Sequence, residues 1–248
     1  MKILLLILSL TLTCHHAQAN GYFSWQRIKE NSASPINQKE VQPVLWTGLS
    51  SVTLLLLKRD EIGDPLQSNW STRKPLGHWA EVGDISGQMV PNLLYTLGMW
   101  GFNKRKSIYM LESSLYAGLF TTVAKVAIGE KRPNGGDRKS FPSGHATTAF
   151  AFAASISFEH SLYAAVPAYA LATLVAASRI NDNAHYLHDV VAGATVGIAF
   201  ASGIHHLNKS RNKPRSGDSN VAQLGWRWTG THLIPNLDGN QIITSFVF

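Results

Sequence analysis

The chain has 248 residues, enough for one sizeable buried core, and a single catalytic domain with short appendages accounts for that length. Hydrophobic residues make up 45% and charged residues 15%, with a mean hydropathy of -0.02, which is apolar for a soluble protein yet polar for a bundle wholly immersed in lipid. The net charge of +7 suits an anionic membrane surface or a phosphorylated substrate, and the absence of a Lys/Arg stripe interleaved with aromatics argues against a nucleic-acid partner.

Residues 1–20 combine Lys2, an apolar run over 3–13 and the small-residue pattern Ala17-Gln18-Ala19. That composition is a secretory signal over 1–19, so the mature fold is expected from residue 20. Cleavage there removes Cys14, the only cysteine, and with it any disulfide, thiolate ligand or cysteine nucleophile. Apolar stretches rich in Ala, Leu and Val follow over 44–57, 85–101, 108–128, 146–158, 162–178 and 190–207. Their length and alanine content predict buried helices rather than strands. Loop signals fall between them at 61–65, 103–106, 133–136 and 181–183. The expected fold is all-α, a membrane-embedded bundle of about six core helices filling residues 20–207. Residues 208–220 read as a basic, polar linker. Within the appendage 208–248, Asp238-Gly239-Asn240 before the run from Ile242 to Phe248 reads as a turn and a short strand-like tail.

Chemistry concentrates at the ends of the apolar stretches. Lys125 precedes Arg132-Pro133, Pro142-Ser143-Gly144-His145 opens an alanine-rich helix, and Ser178-Arg179 precedes His185 and Asp189. Singly, each has an ordinary reading. A lysine ending an apolar helix snorkels, an arginine near a helix C-terminus answers the macrodipole, and an i,i+4 His/Asp pair is a local helical contact. Together they make a demand those readings do not meet, because three cations beside apolar segments are costly to bury unless an anion neutralises them. A phosphate group is the natural anion. Arg132 and Arg179 can grip its oxygens bidentately while Lys125 adds a point charge. Ser143 offers a hydroxyl donor, Gly144 lets the backbone come close, and the helix start directs N–H groups at the same anion. His185 with Asp189 one turn on forms a base and its orienting carboxylate, whose free ring nitrogen can attack phosphorus. His145 fits the acid that protonates the departing oxygen and then assists a water.

These three patches resemble the signature of the type 2 phosphatidic-acid phosphatase superfamily, which includes bacterial nonspecific acid phosphatases and vanadium haloperoxidases. The resemblance covers residues 108–207. It implies a helical bundle, a phosphohistidine on His185, no metal and no other cofactor. The function it implies is a phosphatase acting on phosphate monoesters or diphosphates, with lipids as the substrate class of the membrane-bound branch. A soluble periplasmic nonspecific acid phosphatase, a lipid phosphotransferase and a vanadium haloperoxidase are the alternatives. A zinc site from His145, His185, His188 and Asp189 is disfavoured by the three adjacent cations.

Basic loops set the orientation across a membrane. With Lys104, Arg105, Lys106 and residues 209–215 inside, 108–128 runs outward and delivers Lys125 and Arg132 to the external face. Residues 146–158 return inward, 162–178 bring Arg179 and His185 out, and 190–207 end inside. Given an exported N-terminus, that parity requires residues 44–57 not to cross. The protein is thus expected at the inner membrane with its site on the periplasmic face, taking a phosphorylated lipid or a small phosphate ester.

Overall fold

A computed structural model describes residues 24–211, 227–229 and 232–234. The bundle consists of α1 (Trp25–Asn37), α2 (Gln42–Leu57), α3 (Asp64–Arg73), α4 (Trp79–Gly87), α5 (Val90–Phe102), α6 (Lys104–Ile128), α7 (Gly144–Glu159), α8 (Leu162–Asn181) and α9 (Leu187–Arg211). The all-α expectation holds for it. A second compact unit begins at Lys209 and carries β1 (Arg227–Thr229) and β2 (His232–Ile234), paired antiparallel with Trp228 opposite Leu233. The leader at 1–19 and the strand expected at 242–248 lie outside the described residues.

Local chemistry fixes the helix ends that matter for the site. Asn103 caps α6 by accepting from the Lys106 amide, and Gly129, at φ 62°, closes it in a left-handed conformation that glycine adopts without strain. Ser143 caps α7 by accepting from the Ala146 amide. Close packing then locks α9 onto α7: a Cβ on Gly193 would lie 2.4 Å from the Ser143 carbonyl oxygen, and one on Gly197 2.3 Å from that of Thr147. Backbone therefore meets backbone, as small residues four apart allow in membrane helices, and the helix of His145 is clamped to the helix of Asp189.

The distribution of side chains is that of a membrane protein. Small residues such as Ala146, Ala149, Ala153, Ala172 and Ala201 fill the interior, whereas Leu94, Leu97, Phe102, Val123 and Val126 are exposed. Among the described residues, three helices are long and apolar enough to cross a bilayer, over Lys39–Leu57, Leu162–Asn181 and Leu187–Arg211. An α-helical bundle embedded in the membrane is the result.

Two expectations are corrected. Residues 85–101 are two helices, because the chain breaks at Gln88 and Met89, the latter at φ 66°. Residues 44–57 do run the height of the bundle. Ser34, just before α2, sits against Gly203 near the far end of α9; Gly48 meets Thr195; and Arg59, just after α2, lies over Tyr186 beside the start of α9. Helices α2, α5, α6, α7, α8 and α9 thus link the two ends, and α1 shares its end with Lys104.

Candidate active site

The three motifs converge at one end. Lys125, in the last turn of α6, reaches over the following loop, where its Nζ donates to the carbonyl oxygens of Lys139 at 2.7 Å and Ser140 at 3.3 Å. Both partners are neutral. Arg132 leaves that loop towards the third motif: its Nε donates to Asp137 at 2.7 Å, and its Nη1 donates to the Ala184 carbonyl and lies 3.1 Å from His185 Nε2.

His185 sits in the turn between α8 and α9, buried, with its amide bonded to the Arg179 carbonyl. A guanidinium can only donate, so the contact with Arg132 makes His185 Nε2 the acceptor and leaves the ring proton on Nδ1. Nδ1 faces Asp189 Oδ2 at 3.5 Å, a separation long for a hydrogen bond and of the kind that tightens when substrate arrives. Burial, reinforced by Lys125 and Arg132, holds the His185 ring below the ordinary histidine range, although Asp189 pulls the other way. The ring is neutral at neutral pH, with the lone pair of Nε2 available.

Asp189 is fully buried in the first turn of α9, and its Oδ2 is fixed by the Ser140 hydroxyl at 2.6 Å and the Tyr186 amide at 2.8 Å. Its other oxygen lies 3.2 Å from His188 Nε2, which in turn lies 3.1 Å from Glu130. Glu130, His188 and Asp189 form the one group of potential metal ligands among the described residues, each offering an atom within 4.8 Å of the others. It contains neither His185 nor His145.

Arg179, buried at the end of α8, braces its Nε and Nη2 on the Ser178 hydroxyl and turns Nη1 to Asp84 on α4. The same Asp84 oxygen lies 3.1 Å from His145 Nε2 in the first turn of α7. Burial works against charge on Asp84, but the Arg179 guanidinium outweighs it and keeps the carboxyl below its usual range. Ser143 is buried with its hydroxyl oxygen engaged in the α7 cap. Packing does not demand Gly144, since a Cβ there would meet Lys125 at 3.7 Å, an ordinary contact.

All eight residues singled out by sequence, Lys125, Arg132, Ser143, Gly144, His145, Arg179, His185 and Asp189, therefore lie at this end. Asp84 and Ser140 were not among them. Glycines flank Asp84 four residues apart, and the contacts explain why: a Cβ on Gly83 would lie 2.6 Å from the Ser178 hydroxyl, and one on Gly87 2.6 Å from the His145 ring. That spacing was the available signal for a helix pressed against the site.

Residues 106–213 match the PAP2 superfamily, the type 2 phosphatidic-acid phosphatases. The matched residues make up under half of the chain. Over 126 residues it is 35% identical to a lipid A 1-phosphatase of Porphyromonas gingivalis, a match covering 46% of the chain and 28% of that protein, so the likeness spans under a third of the relative's length. The crystal structure of a transmembrane PAP2-type phosphatidylglycerolphosphate phosphatase from Bacillus subtilis shares the fold, with a TM-score of 0.56 and 18% identity over 74% of this chain and 100% of that one. LpxE of Aquifex aeolicus superimposes with a TM-score of 0.46 and 22% identity, over 61% of this chain and 92% of that one.

Proposed function

We propose that this membrane protein is a phosphatase of the PAP2 superfamily that removes phosphate from phosphorylated lipids, as monoesters or diphosphates, through a phosphohistidine on His185 and with no metal. The supporting observation is the His185 ring: neutral, with Nε2 as the acceptor, backed by a buried Asp189 that Ser140 and the Tyr186 amide hold in place. In the first step His185 Nε2 forms a bond to phosphorus as the ester P–O bond breaks, and His145 gives a proton to the departing oxygen. In the second, water attacks phosphorus, His145 takes its proton, and the P–N bond breaks. Arg132 moves from His185 to a phosphoryl oxygen, joining Lys125 and Arg179 around the charge that develops on the equatorial oxygens. Ser143 and Gly144 complete the cradle at the start of α7.

A lipid substrate is supported by the membrane bundle and by the phosphorylated lipid named in the P. gingivalis relative. The membrane bundle leaves the soluble alternative without support. Incubating the detergent-solubilised protein with radiolabelled phospholipids in EDTA should release phosphate and leave an acid-labile label on His185. Turnover lost in EDTA and restored by zinc would overturn the metal-free mechanism, and orthovanadate should inhibit by filling the cradle.

A periplasmic site is supported by the basic Lys104, Arg105 and Lys106 at the opposite end. Because α2 crosses, that orientation puts α1 inside, whereas a leader cleaved after Ala19 would put it outside. Single cysteines at Lys74, near the site, and at Lys104 settle the matter in a Cys14→Ser background. A membrane-impermeant maleimide should label the first from outside and not the second.

A further inference from the structure

We infer that Asp84 is a positioning residue for His145, favouring its protonated form as the acid of the phosphatase reaction without consuming the N–H it must donate. The inference rests on the phosphatase reading above. Its ground is a mismatch between distance and direction: Asp84 Oδ1 lies 3.1 Å from His145 Nε2, yet that buried nitrogen has no hydrogen-bond partner, so the carboxylate lies off the N–H axis. It therefore acts through charge, and the direction of donation is left for the leaving oxygen.

The charge is needed. Of the groups that act on His145, Arg179 from α8, His185 from the following turn and Arg132 from the loop after α6 all disfavour a proton, and burial does the same. Asp84 from α4 is the anion that favours one. Burial and these cations prevail and lower His145 to about 4 even beside Asp84, and without that carboxylate the ring would hold a proton more weakly still. The carboxylate is held for this task from two sides, Gln88 Nε2 donating to Oδ2 at 3.2 Å and Arg179 to Oδ1. Gly83 and Gly87 bring α4 close enough, since any side chain at either would collide with Ser178 or with the His145 ring. Substrate phosphate can take over Arg179 while Asp84, bonded also to Gln88, stays beside His145.

The test compares Asp84→Asn, Asp84→Glu and wild type on an alkyl phosphate and on p-nitrophenyl phosphate. The amide keeps the shape and removes the charge, so the alkaline limb of kcat/KM for the alkyl substrate should move to lower pH. Its kcat should fall on the order of 10-fold or more, below the 10²–10⁴ expected for losing a general acid outright. Hydrolysis of p-nitrophenyl phosphate, whose leaving group departs unprotonated, should change less than about 3-fold, and Asp84→Glu should recover most of the alkyl activity. Equal losses on both substrates would reduce Asp84 to a structural brace and overturn the inference. Unchanged rates with tighter vanadate binding would overturn it too, by showing that Asp84 merely occupies the phosphate position. A wild type inert to both substrates and to lipids would fail at the earlier step, removing the phosphatase reading and this inference together.

Discussion

The two ends of the bundle treat their cations in opposite ways. At the end away from the site, Glu159, with a side chain only 4% exposed, takes Arg105 bidentately at 3.1 and 2.8 Å, and its main-chain carbonyl takes Lys106 at 2.6 Å. Glu112 holds Arg27 in the same two-pronged way, at 2.9 and 3.2 Å. At the site end the three motif cations form no such closed pairs among the described residues. Lys125 leans on two carbonyl oxygens, Arg132 on an Asp137 whose side chain is 52% exposed, and Arg179 on Asp84, 40% exposed. Ion pairs that serve architecture are shut in with a buried anion; those at the site use neutral oxygens or wet carboxylates that an incoming phosphate can displace at modest cost.

Changing His185 should expose the difference most. His185→Ala removes the proposed attacking atom, and turnover should fall to background with lipid and p-nitrophenyl phosphate alike; a near-normal rate would make the histidine structural. Asp189→Asn should lower kcat on the order of 10² to 10⁴ with KM little changed, the scale of losing a correctly oriented base. A KM effect alone would mean that Asp189 shapes binding.

His145→Ala should divide substrates by their leaving groups. An alkoxide needs a proton in the transition state and p-nitrophenolate does not, so single-turnover rates should drop about 10² to 10⁴ for an alkyl phosphate and far less for the aryl one. Equal drops would make His145 a phosphate ligand. The pH profile adds a finer reading of the same end. His185 lies below its ordinary value of 6.5, so the neutral form that the proposed attack requires persists into mildly acid solution and is lost only as pH falls through the lowered value. The acid limb of kcat/KM should lie below the ordinary histidine range, and a limb at or above it would contradict the buried, cation-flanked ring.

Much of this site was legible from residue types alone because its chemistry is local. Each motif lies within one helix end or one turn, so the spacing of Lys125 and Arg132, or of His185 and Asp189, already sets what they can share. What escaped depends on tertiary contact: Asp84 belongs to a short helix whose residues have no chemical signature, and only the packing of Gly83 and Gly87 brings it to His145. Ser140 is likewise an ordinary loop serine until the fold sets its hydroxyl 2.6 Å from Asp189. The course of α2 along the height of the bundle was missed for another reason. Residues 44–57 were counted against the parity of an exported N-terminus, and parity counts crossings without seeing that Gly48 fits against Thr195.

The smallest effect is expected at the other end, where Arg105→Gln removes one arm of the Glu159 pair. Arg105 is 62% exposed, and exposed pairs of this kind contribute about 0.2–1 kcal/mol. Glu159 is the deeper partner and keeps His205 Nδ1 at 3.8 Å, so its charge is not stranded when Arg105 goes. Thermal unfolding in detergent should therefore shift slightly downward, and turnover should stay within about 2-fold of wild type, since no proposed step passes through this end. Glu159→Gln should cost more stability than Arg105→Gln, because it strips the shared anion from Arg105 and His205 together while leaving the cradle intact. A tenfold loss of turnover in Arg105→Gln would show that the closed pairs and the open ones are not separable, and that packing along α6 and α7 carries a change at Glu159 to the residues that hold phosphate.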